Sequence, residues 1–324
     1  MQRFKNILLV DNNESISDSS LQSALILAKK NKAKLTVVAI NNRSFFVGVP
    51  FALGGLSTIV DEEMVARTRE RLEKKLGLVE RHYHIETRVL YGKSFIEIIK
   101  EVLRNEIDLV IKTIEQPDSY AMLFGSTDMH LLRKCPCPVW LIKPGPIKMA
   151  QKILVAVDLD SSGEENGGLL NRQIIEMAIS MACSGNIELH FVYAWMIFGE
   201  DTSACFSSNY LKNDIQAWKE MQKSELNKRM DSFQNEVSAL LKQQCTTSPP
   251  QPHFHFIEGD AQDVIPQIVS GLQIDLIIMG TVGRSGLPGF FMGNTAESIL
   301  SQIHCSTLAI KPEGFVSPVR VDKG

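Results

Sequence analysis

Residues 91–109, YGKSFIEIIKEVLRNEIDL, align without a gap with residues 258–276, EGDAQDVIPQIVSGLQIDL, at an offset of 167. No other feature constrains the fold as strongly, because a repeat of this length obliges both copies to build the same unit. PVWLIKP (138–144) recurs as STLAIKP (306–312) at an offset of 168, and NILLVDN near residue 6 is echoed by ILVAVDL near residue 153. A chain of 324 residues is long enough for two domains. Their expected bounds are 1–147 and 148–324, joined in KPGPIKMAQ, where two prolines and a glycine mark a linker.

Each half reads as five strands alternating with helices. KILVAVD is a continuous apolar run ending at an acid, as a parallel strand buried on both faces requires. LLNRQIIEMAISMACSG carries apolar residues at helical spacing, and the long segment from Leu211 to Gln243 keeps one apolar stripe among many charges. IELHFVYAW, HFHFIEG, IDLIIMG and STLAIKP supply further strands. The expected fold class is α/β: two tandem doubly wound domains, each an open five-stranded parallel sheet with helices on both faces. Ligands of such sheets bind beyond the carboxyl ends of the strands, where strand order reverses.

GTVGRSGLPGFFMGNTAE (280–297) leaves the fourth strand of the second half at that edge. Its spacing is Gly280, two residues, Gly283, nine residues, Gly293, then Asn294 and Thr295. Glycines allow a ligand close to the backbone, successive amides form an anion nest, and a helix beginning near Asn294 adds N–H donors and a positive dipole end. Together these favour a polyphosphate. The spacing is neither G-x-G-x-x-G nor G-x-x-x-x-G-K-[ST], so neither of those sites is inferred. The same residues also suit an inherited loop, with Asn294 capping its helix and Glu297 completing a capping-box-like pair.

A tandem α/β chain with G-x2-G-x9-G followed by small polar residues resembles the universal stress protein family in its ATP-binding subset, and the resemblance covers nearly the whole chain. It implies ATP or a related adenine nucleotide as ligand. Asp158 matches the acid near adenine, ribose and metal, which could accompany the nucleotide with Mg2+. Val192 sits where the family contacts adenine through its backbone. Gly280 and Gly283 match the turn beside ribose and phosphates, with Arg284 adjoining, and Gly293, Asn294 and Thr295 match the phosphate-binding element. Asn294 departs from the usual Ser/Thr, and a threonine follows one place later. The resemblance also implies an intrachain pseudo-dimer through the closing strands and leaves homodimerisation of whole chains open.

The first half departs from this pattern. Thr113 stands at the position of Gly280 and Gln116 at that of Gly283, while Gly125, Ser126 and Thr127 match Gly293 to Thr295. One nucleotide per chain is therefore expected, in the second half. The function read from these features is a stress-response protein acting by ligand-dependent interaction. The alternatives are a binder of another small molecule or a protein-interaction module with a relic glycine loop. No P-loop lysine is present, and Arg284 is the only basic residue of the glycine stretch. No efficient catalysis and no catalytic residue is expected, with room only for slow hydrolysis of bound ATP.

A net charge of −3 gives no reason to expect nucleic-acid or membrane partners. Six sparse cysteines read as reduced thiols in a cytoplasmic protein, and Cys135 and Cys137 of KCPCPVW as structural. HYH (82–84) and HFH (253–255) each put two histidines on one side of an extended segment. A metal site needs a third ligand that the spacing does not supply, so solvated strand ends are expected and no metal site.

Overall fold

The computed structural model describes residues 3–11, 18–41, 54–80, 83–115, 124–145, 150–160, 165–183, 187–196, 209–245, 249–282 and 292–321. The chain divides into two compact units: Met1–Met149 with Thr281–Gly293 and His304–Gly324, and Ala150–Gly280 with Asn294–Ile303. The apolar, glycine-containing segment SFFVGVPFALGGLSTIV (44–60) lies largely outside the described residues; its last seven residues begin a helix.

In the first unit the elements run β1 (Asn6–Asp11), α1 (Asp18–Asn31), β2 (Lys34–Asn41), α2 (Gly54–Glu80), β3 (Ile85–Tyr91), α3 (Ser94–Arg104), β4 (Leu109–Thr113), α4 (Ser126–Lys134) and β5 (Val139–Ile142). The second unit follows with β6 (Lys152–Ala156), α5 (Glu165–Ala182), β7 (Glu188–Trp195), α6 (Asn209–Gln244), β8 (Pro252–Glu258), α7 (Ala261–Leu272), β9 (Leu276–Gly280) and α8 (Asn294–Gln302). The last strand, β10 (Ser306–Ile310), belongs to the first unit. Each half of the sequence thus supplies five strands alternating with four helices, as the patterning requires.

Strand order is β3-β2-β1-β4-β5-β10 in the first unit and β9-β6-β7-β8 in the second. The described ladders are parallel except that between β5 and β10, in which Val139–Leu141 run antiparallel to Thr307–Ala309. The two closing strands flagged by their repeated sequence therefore pair. The central strands are buried on both faces; Ile7, Leu8, Leu9, Leu276, Ile277 and Ile278 have no exposed surface. This explains their unbroken apolar runs.

Ile7 lies opposite Leu109 and Ile153 opposite Leu276, so β1 and β6 correspond at an offset of 146. The sequence match NILLVDN to ILVAVDL is one residue out of step, and Asp11 is the counterpart of Val157 rather than of Asp158. Two carboxylates fix this register. Asp108 accepts from the Lys5 and Asn6 N–H groups at 2.6 and 3.2 Å, and Asp275 from those of Gln151 and Lys152 at 2.8 and 3.0 Å.

Helix starts follow ordinary local chemistry. Gly92 and Gly259 end β3 and β8 at φ 133° and 146°, a region L side chains avoid. Asp260 then caps α7 by accepting from the Gln262 N–H at 2.9 Å. Pro266 lies inside α7 and cannot donate to the Gln262 carbonyl four residues back. That carbonyl accepts instead from Gln302 Nε2 of α8 at 3.1 Å.

The cysteine expectation needs correction. Cys183 and Cys245 form a disulfide, with Cα atoms 5.3 Å apart at a sequence separation of 62. Each sits just past the end of its helix, α5 or α6, with its N–H still bonded to the carbonyl four residues back. Packing of α5 on α6 brings them together, which spacing alone does not reveal. Cys135, Cys137 and Cys305 are buried and lie outside the disulfide, and Cys205 lies outside the described residues. Burial pushes the Cys137 thiol well up, with the Cys135 sulfur 3.6 Å away adding to it, which suits a structural thiol.

Candidate functional site

β6 carries the chain to the carboxyl edge of the second unit, where Asp158 is half-buried. Asn171 of α5 clamps the backbone there: its Oδ1 accepts from the Asp158 N–H at 3.2 Å, and its Nδ2 donates to the Asp158 carbonyl at 2.6 Å. The Asp158 carboxylate accepts from the Asp160 N–H at 3.1 Å, a local turn that holds it at the strand end. Asp160 in turn accepts from Tyr193 Oη at 2.7 Å and from Arg229 of α6 at 3.0 Å. Burial, then the Asp160 carboxylate, pushes the Tyr193 hydroxyl above its ordinary range, so it stays a neutral donor. Asn171, Asp160, Tyr193 and Arg229 escaped the sequence reading. The signal available was a buried asparagine facing out of an apolar helix stripe and an acid two residues after Asp158.

Val192 is fully buried in the sheet, and its carbonyl accepts from the Val157 N–H at 3.1 Å. Gly280 ends β9 in the same unit and does not adopt a positive φ. A Cβ there would stand 3.0 Å from Leu170 Cδ2 of α5. In the first unit Thr113 takes the equivalent place and donates to Ser20 Oγ of α1 at 3.0 Å. Glycine facing leucine and threonine facing serine fill the same gap with opposite partners, so packing alone accounts for Gly280. Asn294 and Thr295 begin α8 and are exposed, as an anion-binding helix start must be. Gly293 belongs to the first unit and its N–H is committed to the Thr281 carbonyl at 3.0 Å. Gly283, Arg284 and Gln116 lie outside the described residues.

The corresponding helix start of the first unit is filled from within. Asp128, with no exposed surface, accepts from the Glu115 and Gly125 N–H groups at 3.0 and 3.3 Å and from Lys112 Nζ at 2.8 Å. Glu115 lies 2.9 Å from the same ammonium and within 2.9 Å of where a Gly125 Cβ would stand. Burial raises the Asp128 carboxyl, while Lys112 opposes that shift. An incoming phosphate would meet two carboxylates. The acid of β1, Asp11, is likewise buried and is engaged by Arg71 of α2.

Lys311, one residue past β10, is also buried and donates to the Leu132 carbonyl and to Thr281 Oγ1 at 2.5 Å. Burial lowers its pKa to about 8. The unfolded lysine keeps its proton up to about 10.5, so between pH 8 and 10.5 the unfolded chain binds more protons and stability must rise with pH. Below pH 8 both forms are charged and the burial cost is constant. Lys311→Met is expected to abolish that rise and to stabilise the chain at pH 7 by up to about 3 kcal/mol. Urea titrations at pH 7 and 10 would measure both effects.

Comparisons with known proteins bear on this arrangement of units and strand ends. A sequence profile of the universal stress protein family matches residues 3–143 and again 149–311. The chain belongs to the universal stress protein family. Universal stress protein E of Salmonella typhi is 30% identical to it over 99% of both chains. Universal stress protein E of Escherichia coli K12 is 32% identical over 72% of this chain and 70% of that one. Among solved structures, a protein of Pseudomonas aeruginosa UCBPP-PA14 matches 97% of this chain and 95% of its own with a TM-score of 0.69 at 24% identity. A universal stress protein from Archaeoglobus fulgidus matches 95% and 99% with a TM-score of 0.59 at 17% identity. These two likenesses bear on the fold alone. Among the described residues no helix is long and apolar enough to cross a membrane.

Proposed function

We propose that this universal stress protein binds ATP or a related adenine nucleotide in its second unit, around Asp158, Asn294 and Thr295, and acts through ligand-dependent interaction rather than catalysis. Gly283 and Arg284, expected at this site from the sequence, lie outside the described residues. The observation that carries the reading is the contrast between the two helix starts. Lys112 and Asp128 fill the first unit's helix start with an internal ion pair, whereas Met279 and Ala296 stand at the equivalent positions of the second. Ala296 leaves the place of the buried Asp128 without a carboxylate, and although Glu297 stands in the first turn of α8, the exposed N–H groups at Asn294 and Thr295 favour an external anion. The anchored Asp158 supports a ribose hydroxyl or Mg2+ nearby.

Titration calorimetry with Mg2+–ATP is expected to give about one nucleotide per chain. Asn294→Asp places a carboxylate at the helix start, where the dipole favours it by about 0.3–1 kcal/mol, yet it should repel phosphate. Binding is therefore expected to weaken at least about tenfold without loss of fold. Two nucleotides per chain, or unchanged binding by the variant, would overturn this site. Turnover near 1 per second would overturn the non-catalytic reading.

A second reading rests on the packing of Gly280 against Leu170 and the committed Gly293 N–H. These favour an interaction module, or a binder of another small molecule, whose glycine loop is a relic. Absence of any nucleotide binding in the same titration selects it.

A further inference from the structure

The HFH segment gains in the folded chain the third imidazole that its spacing lacked. His190 of β7 lies directly opposite His253 of β8, and His255 is two residues further along the same face. His190 Nδ1 and His255 Nε2 are 3.1 Å apart, and the His253 ring stacks on His190 with centroids 4.9 Å apart. His190 is buried, His255 half-buried and His253 exposed, so the cluster runs from the interior to the surface. It lies toward the amino ends of the strands, apart from the carboxyl edge proposed for the nucleotide.

We propose that His190, His255 and His253 form a binding site for a divalent transition-metal ion of the zinc–copper class. Nitrogens 3.1 Å apart, each about 2.1 Å from one ion, subtend about 95° at it, an angle within the range such ions accept. Among the described residues no three His, Cys, Asp or Glu side chains already stand as a closed ligand set. Here two nitrogens converge, and rotation of the exposed His253 ring supplies the third.

The surroundings suit the role. Glu188, two residues before His190 on the same face, places Oε2 3.5 Å from His190 Nε2. A carboxylate on that side favours the proton on Nε2 and leaves the Nδ1 lone pair facing His255, whose own proton must pass from Nε2 to Nδ1 when an ion replaces the hydrogen bond between the two rings. Burial lowers the pKa of both His190 and His255. For His190 the Glu188 carboxylate opposes this, and the other two imidazoles add to it. Lys152, 3.4 Å from Glu188, lies beyond that carboxylate. An entry path exists, because His255 also lines an open groove of about 410 Å³ between β8 and α7, walled by Ile257, Val264, Ile268 and Leu272.

The test is equilibrium dialysis of the full chain against about 10 µM Zn2+ after chelation, with metal content read by mass spectrometry. About one ion per chain is expected at pH 7.5. His255→Ala and His253→Ala should each weaken binding at least about tenfold, and Glu188→Gln about tenfold by loosening His190. His84→Ala should leave it unchanged. Cu2+ bound to the unaltered chain should show electron-spin splitting from two or more imidazole nitrogens, a readout independent of how the variants fold. Retention of zinc by both histidine variants, no binding at 100 µM, or a copper spectrum without nitrogen splitting would each overturn the proposal.

Discussion

Replacing Asp128 with alanine is expected to destabilise the first unit by about 3–5 kcal/mol, since it leaves a buried ammonium without its counter-charge. Lys112 is 1% exposed and cannot reach water without opening β4. Its other partners, Glu115 at 2.9 Å and the Thr113 carbonyl at 3.2 Å, neutralise it only in part. The same change orphans the Glu115 and Gly125 N–H groups that Asp128 accepts from. Each such loss costs about 1–3 kcal/mol when the group stays dry. The repeat suggests the control. Met279 and Ala296 stand at these two positions in the second half, so the same architecture accepts an apolar pair. Lys112→Met together with Asp128→Ala should recover most of the loss. Urea unfolding of the wild type, both single variants and the double variant gives the coupling directly. Additive single effects would mean that the ion pair is not the element that holds α4 to β4.

The fold was legible because its strands are buried on both faces and its helices on one, and those two patterns differ in period even in a single sequence. The repeat then fixed the number of units without any knowledge of contacts. What escaped it depends on distances between residues far apart in the chain. The one-residue slip between β1 and β6 is such a case. Both runs end in Val-Asp, and only the carboxylates of Asp108 and Asp275, about a hundred residues away, reveal the true register. The glycine at position 280 was read as room for a ligand, yet its nearest neighbour is Leu170, a side chain whose partnership with β9 no local pattern encodes. The histidines of β8 lacked a third member for the same reason: His190 lies 63 residues before His253 and is beside it only once β7 and β8 pair. Of the candidate site, the strand-end acid and the helix start at Asn294 were readable. The cluster of Asn171, Asp160, Tyr193 and Arg229 that fixes this edge was not.

Breaking the Cys183–Cys245 bond is expected to lower the stability of the second unit by about 2–4 kcal/mol. The bond closes a loop of 62 residues that contains all of β7 and α6. Chain-entropy arguments give about 4 kcal/mol for a loop of that size, and native-state effects commonly reduce the realised value. Further stabilisation comes from position. Both sulfurs extend from helix ends whose last N–H groups are already bonded, so the link joins two ordered elements and demands little new ordering in the folded state. It also ties α6 to the unit at the end remote from its start at Asn209. Most of that helix keeps a solvated face, and Met221 and Trp218 remain exposed. Cys183→Ser, Cys245→Ser and reduction of the unaltered chain should therefore lower the unfolding midpoint by the same amount. Either variant should then be insensitive to reductant. A midpoint that neither substitution nor reduction moves would mean that the two thiols are not joined in solution, and that packing of α5 on α6 holds this side of the sheet unaided.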